Sequence, residues 1–180
     1  AAPVTVELEI LAGLQLARML GYPDDISRPD CAFGHLTSGG TLANYQALRL
    51  ALSLKAMPVA LLAAGVPDIE MPEDEWDAFN LGPDAGIALL DHWQHWLAAQ
   101  PAPERARWLA RVRGERIEQL GLSGFFTRHP DLRVPRVLAP ITAHYSWSKG
   151  LKLLGLGRAQ LQLLPESGML RLVASFLAAG

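Results

Sequence analysis

Cysteine occurs once in the 180 residues, at Cys31, so the chain holds neither an intramolecular disulfide nor a cysteine cluster for metal, which fits a reducing compartment. Lysine is nearly as scarce, with Lys55, Lys149 and Lys152 the only three. No uninterrupted apolar run approaches the roughly 20 residues of a bilayer span, and no basic stretch followed by a hydrophobic core opens the sequence. The formal net charge of -2 leaves no broad basic surface for nucleic acid, and 50% hydrophobic residues argue against disorder. Neither a repeat nor a low-complexity segment stands out beyond an Ala/Leu bias. These exclusions point to one cytoplasmic domain with a substantial core, without nucleic-acid or membrane partners.

What is present centres on Gly34 to Asn44, Gly-His-Leu-Thr-Ser-Gly-Gly-Thr-Leu-Ala-Asn. An apolar run, Cys31 to Leu36, leads into small polar residues, and a helix-compatible segment, Tyr45 to Lys55, follows. This order predicts a strand, a tight turn and a helix start. Gly39 and Gly40 lack Cβ, so their amides can approach a bound group closely, while Ser38 and Thr41 add hydroxyl donors. The first amides of a helix have no intrahelical partner and carry partial positive charge, which suits a phosphate. The same residue types also serve simply to cap a helix and turn a chain.

Ile141 to Gly157, Ile-Thr-Ala-His-Tyr-Ser-Trp-Ser-Lys-Gly-Leu-Lys-Leu-Leu-Gly-Leu-Gly, repeats the plan: an extended approach from Val134 to Ile141, a polar turn, then a helix. Together the two stretches resemble the group II pyridoxal-phosphate-dependent amino acid decarboxylases, over about Val4 to Leu172 with a weakly matching middle. The resemblance implies that Thr37 to Asn44 is the turn that binds the cofactor phosphate, through Ser38, Gly39, Gly40 and Thr41. It implies that His144, with Ser146, lies against the pyridine ring, making His144 the catalytic candidate. It further implies pyridoxal 5'-phosphate as cofactor, an L-amino acid as substrate with tyrosine or another aromatic favoured over glutamate, and a homodimer.

The expected fold is α/β, a portion of a fold type I large domain with a mainly parallel sheet, covering helices and a helical insertion. Within it we expect an N-terminal helix and loop (1–30), a phosphate-turn unit (31–57), the insertion (58–130) and the His-x-Ser unit (131–180). Val4 to Leu20 reads as a helix with Thr5 as N-cap, Glu7 and Glu9 in its first turn, and Leu8, Leu11 and Leu14 on one face. The resemblance places that helix near the subunit contact. Gly21 to Asp30 reads as a loop. Pro58 is expected to end or bend the helix that starts at Thr41. Asn44, one turn into that helix, either makes a local hydrogen bond or braces the glycine turn.

In the middle, Pro67 to Glu75 reads as an exposed acidic loop, and Ala85 to Ala99 and Pro103 to Leu120 as two helices. Leu89, His92, Trp93 and Trp96 fall together on the first; Trp108, Leu109, Val112 and Ile117 form a stripe on the second. Their tryptophans suit a core or interface. His92 and His95, three apart beside Asp91, lack a third ligand in a recognisable pattern, so no metal is expected. His35 lies beside the glycine turn; His129, before Pro130, reads as a loop residue. Beyond Arg133 we expect a strand at Val134 to Ile141, a helix at Ser146 to Leu154, a strand at Gln160 to Leu164 and a helix at Met169 to Ala178. Alternating elements imply a parallel sheet, whose ligands gather at the carboxyl ends of the strands. Both motifs occupy such ends and so could converge on one ligand.

A pyridoxal phosphate enzyme also needs a carboxylate at the pyridine nitrogen and a lysine that forms a Schiff base. The family's His-Lys dipeptide is absent here, and Lys149 and Lys152 follow His144 too closely to serve while His144 covers the ring. The sequence is therefore expected to be an N-terminal part of a longer decarboxylase and inactive alone. Two other readings stand beside it: another fold type I enzyme such as a cysteine desulfurase or aminotransferase, and a phosphate-binding or dimerising module without catalysis.

Overall fold

A computed structural model of the chain describes residues 3–28, 30–32 and 34–165. The chain divides into two compact units, with the boundary between Ala43 and Asn44.

In the first unit, α1 spans Pro3–Met19. It starts earlier than a Thr5 cap requires, because proline fits the first helical position, where no N–H is needed. Thr5 is therefore inside the helix, and Glu7 and Glu9 fall past its first turn, which holds no acidic residue. Of its apolar positions Ala17 is buried, whereas Leu8 and Leu11 are exposed. A Cβ on Gly13 would lie 2.5 Å from the Gly34 carbonyl oxygen, so α1 meets the backbone of the following segment there. The described residues between Gly21 and Asp30 form a loop, with Arg18 paired to Asp24 at 2.6 Å. The strand expected at Cys31 to Leu36 does not form among the described residues. A strand needs a neighbour to complete its ladder, and here Ala32 N–H donates to the Pro23 carbonyl of the loop at 2.8 Å.

The next helix, α2, spans Gly40–Ala64 and runs through Pro58. Proline removes one helical hydrogen bond and crowds the carbonyl four residues back. Burial of Pro58, Val59, Ala60, Leu61 and Ala64 offsets that cost, since a fully buried Val or Leu gains about 1.5–3 kcal/mol. The helix stops at Gly65, whose φ of 63° lets Gly65 N–H reach the Leu62 carbonyl at 2.9 Å and Val66 N–H the Leu61 carbonyl at 3.4 Å. Among the described helices α2 alone is long and apolar enough to cross a membrane by composition; its buried half builds the core instead.

Helix α3, Glu75–Phe79, rises from the acidic segment that reads as loop. Asp74 caps it, accepting from Asp77 N–H at 2.8 Å. Then follow α4 (Pro83–Ala99), α5 (Ala102–Glu115) and α6 (Ile117–Arg128). The single helix expected over Pro103 to Leu120 is thus two. Arg116, at φ -72° and ψ 144°, breaks the helical run, which lets Ile117 turn inward while Val112 packs elsewhere. The second half of α2 feeds both clusters: Ala56 and Val59 pack with Ala78, Phe79, Ile117 and Phe125, and Leu61 and Ala64 pack with Leu89, Trp93, Leu97 and Val112. Trp96 stacks on Trp93 with centroids 5.6 Å apart and meets Trp108 edge-on at 5.5 Å, a core role; His92 faces solvent.

The chain ends its described course in a β-α-β unit: β1 (Val137–Pro140), α7 (Ser146–Leu153) and β2 (Leu161–Leu164). The strands are parallel, with Val137 opposite Leu161 and Pro140 opposite Leu164. Leu151 and Leu156 pack with Leu48 of α2, and Val137 and Leu161 of the sheet lie against them. Mostly helical with a small parallel sheet, this architecture is compatible with part of an α/β domain. The helix expected at Met169 to Ala178 lies outside the described residues.

Candidate functional site

The turn after β1 is built around Ser146, which is 0% exposed. Asn44 Nδ2 donates to the Ser146 hydroxyl at 2.8 Å, and that hydroxyl lies 2.9 Å from His144 Nδ1. Ser146 N–H also donates to His144 Nδ1, at 3.3 Å. A backbone N–H can only donate, so its bond from Ser146 requires an unprotonated Nδ1, to which the Ser146 hydroxyl can also give its proton while accepting from Asn44. Nδ1 is thus the acceptor, and the neutral imidazole carries its proton on Nε2. Two residues of one turn and one of a distant helix thereby fix both the tilt and the tautomer of the ring.

Helix α7 comes close to α2 because residue 150 is glycine. A Cβ there would lie 2.8 Å from Leu48 Cδ1 and 3.9 Å from Tyr45 Cα. Asn44, Tyr45 and Leu48 are successive contacts along α2, so the approach that Gly150 permits is the one that brings Asn44 within reach of Ser146. Gly155, at φ 78°, then ends α7 by letting Leu156 N–H reach the Leu151 carbonyl at 3.0 Å.

An open pocket of about 450 Å³ lies beside the imidazole, lined by His144, Tyr145, Lys149, Lys152 and Arg158 among others. Three cations and an aromatic ring suit an anionic, planar ligand. Tyr145 leans on His144 with ring centroids 4.1 Å apart, and Lys149 Nζ sits 4.5 Å from the Tyr145 centroid.

The glycine turn belongs to the first unit. Ser38, Gly39, Gly40 and Thr41 are all exposed, and the Gly39 carbonyl accepts from Leu42 N–H at 3.0 Å and Ala43 N–H at 3.2 Å, so the helix begins at the diglycine. On this turn the Thr37 hydroxyl donates to the Gly39 carbonyl at 3.1 Å. His144 and Ser146 meet within the second unit, and Asn44 joins them there.

Sequence reading missed three features. Asn44 bonds neither its local backbone nor the glycine turn but the His-x-Ser turn, 102 positions away; its place in the first motif was the one available signal. His129 is a loop residue as expected, but a buried one: it is 2% exposed, packs on Phe125 at 4.7 Å and holds Glu75 at 2.8 Å from Nδ1. Lys55 lies on the Phe79 carbonyl at 2.6 Å and the Asn80 side chain at 3.1 Å, where burial pushes its ammonium below the ordinary range.

The chain is similar to curated L-tyrosine decarboxylases. It is 27% identical to that of Levilactobacillus brevis over 164 residues, and 23% identical to those of Enterococcus faecalis and Enterococcus faecium over 164 and 161 residues. These alignments cover about nine-tenths of this chain and 22% of each relative, so the chain spans about a fifth of the length of the proteins it matches. No family model matches the chain. The similarity supports a relationship to the decarboxylases and spans both motifs.

Proposed function

We propose that this chain is the cofactor-cradling part of a cytoplasmic, homodimeric, pyridoxal-phosphate-dependent decarboxylase of L-amino acids, with tyrosine or another aromatic as substrate. The observation that carries the reading is the Asn44–Ser146–His144 chain of hydrogen bonds, which sets an imidazole rigidly beside an open, cation-lined pocket. Similarity to L-tyrosine decarboxylases across both motifs supports it. The residues present fit a phosphorylated pyridine in kind: amides and hydroxyls at Ser38 to Thr41 for the phosphate, and a flat, oriented ring at His144 for the heterocycle.

Bound pyridoxal phosphate would supply the electron sink that makes loss of carbon dioxide from an amino acid feasible. The protein's part is positional. Ser38, Gly39, Gly40 and Thr41 would hold the phosphate, and His144 would hold the ring by its face while Ser146 and Asn44 keep the imidazole upright. A neutral ring held on Nδ1 presents Nε2–H as its only donor, which directs any hydrogen bond toward one side of the pocket. Lys55 is held by Phe79 and Asn80, and Lys149 and Lys152 follow His144 too closely to serve while it covers the ring, so the lysine that carries the cofactor falls to the longer protein, and this part alone would not turn over. The exposed apolar side chains of α1, among them Leu8 and Leu11, support a second copy as partner.

The test is carbon dioxide release by the full-length protein supplied with pyridoxal phosphate, over tyrosine, phenylalanine, tryptophan and glutamate. Release from tyrosine or another aromatic, with loss of bound-cofactor absorbance in His144→Ala, is expected. Absence of release from every amino acid, with cofactor bound normally, would leave a binding module and overturn the enzymatic reading.

A further inference from the structure

A second pocket, of about 670 Å³, opens among Lys55, Trp76, Asn80, Arg133, Arg136 and Gln160. Its place is set by topology. Val134 to Arg136 immediately precede β1 and Gln160 immediately precedes β2. Because the strands are parallel, this pocket lies at their amino ends, whereas His144 follows the carboxyl end of β1. It shares no lining residue with the pocket beside His144.

Three cations converge on it, and no acidic side chain lines it. Arg133 and Arg136 make no ion pair with any described residue. The Lys55 ammonium bonds two neutral oxygens, of Phe79 and Asn80, and lies 4.5 Å from the Phe79 ring centroid, so no carboxylate among the described residues neutralises it and one N–H remains to donate. Gathering like charges around a partly buried ammonium is unfavourable unless an anion completes the set. Guanidinium groups match the paired oxygens of a phosphate, and the ammonium adds a point charge. Trp76, 49% exposed on the short helix α3, also lines this space and offers it a flat apolar surface. Carboxamides at Asn80 and Gln160 can both donate and accept at the edge of a ring.

We propose that this pocket binds a small phosphorylated molecule carrying a planar ring, of the nucleoside monophosphate class. The phosphate sits on Arg133, Arg136 and Lys55, and the ring stacks on Trp76. The volume falls within the ordinary range for small-molecule sites.

Binding of AMP to the full-length protein, with ribose 5-phosphate and adenosine as partial ligands, tests this by calorimetry. AMP is expected to bind, ribose 5-phosphate more weakly, and adenosine most weakly. Arg133→Ala with Arg136→Ala should weaken AMP by about tenfold or more, the loss of charge-assisted contacts. Trp76→Ala should weaken AMP by about fivefold or more and leave ribose 5-phosphate unchanged. His144→Ala should leave AMP binding unchanged, which separates this site from the proposed cofactor site. Failure of AMP to bind, or AMP binding insensitive to the double arginine change, would overturn the proposal. Equal binding of AMP and ribose 5-phosphate would overturn the role given to Trp76.

Discussion

Asn44 donates to the hydroxyl of Ser146 at 2.8 Å across 102 positions of sequence, and the same hydroxyl holds Nδ1 of His144. One bond thereby links the helix that follows the glycine turn to the turn that carries the histidine. Removing Ser146 frees the ring, whereas removing Asn44 leaves the ring on Ser146 but takes away the link to α2.

Ser146→Ala should destabilise the protein by about 1–3 kcal/mol, because the half-buried Asn44 amide and the His144 ring both lose their bond to a fully buried hydroxyl. Asn44→Ala should cost less, since Ser146 keeps His144. The double variant should fall short of the sum by roughly 0.5–3 kcal/mol, the coupling expected of residues in one network. Urea midpoints of the four proteins measure this; strict additivity would show that the bond contributes nothing.

At Gly150 the missing Cβ is what lets two helices close. Alanine gains about 1 kcal/mol of helix propensity but places a carbon 2.8 Å from Leu48 Cδ1, so its net effect should be small. Valine has no such escape and should cost about 1–3 kcal/mol. Leu48→Ala combined with Gly150→Val should then cost less than the two changes added together, readable from thermal melts.

The Glu75 and His129 pair pins α3 to the end of α6. His129 Nε2 is buried without a partner among the described residues, so Glu75 provides its one side-chain bond. Glu75→Ala should cost about 1–3 kcal/mol by leaving the whole imidazole unsatisfied. Glu73→Ala, on the exposed loop two residues earlier, should stay within about 0.5 kcal/mol, and equal losses from the two would refute the assignment.

Acid should act in part through Glu118. Burial opposes its ionisation, yet hydrogen bonds from Arg116 and Ser53, its backbone amide and the Arg116 charge together hold the carboxyl below its ordinary value of 4.5. The unfolded chain therefore takes up a proton first as pH falls. The contribution is complete above about 4.5 and is lost as pH drops through the lowered folded value. Glu118→Gln should remove that part of the acid sensitivity, about 1 kcal/mol or less because the pair is partly exposed to water. Urea midpoints at neutral and acidic pH give the comparison.

Local chemistry made several elements legible. Gly21 and Pro23 mark the end of α1, the tryptophan spacing gives the packed faces of α4 and α5, and the alternation after Arg133 gives β1, α7 and β2 in order. Where the outcome differs, distant packing decides it. Pro58 does not end α2, because Ala56, Val59, Ala60 and Leu61 around it are buried. Cys31 to Leu36 has the composition of a strand, yet a strand requires a partner. His129 lies in the loop after α6, as its place before a proline suggests, and Glu75, 54 positions earlier, gives it a buried seat there.

The two motifs were readable because they are contiguous: glycines beside hydroxyls, and a histidine two residues from a serine, state their chemistry within a single turn. Which nitrogen of His144 accepts, that Asn44 serves the second motif, and that Lys55 joins Arg133 and Arg136 around one pocket depend on residues far apart in the chain. Hydrogen bonds and charges act over a few ångströms in space, and only the packing of α2 against the β-α-β unit brings those groups within that range.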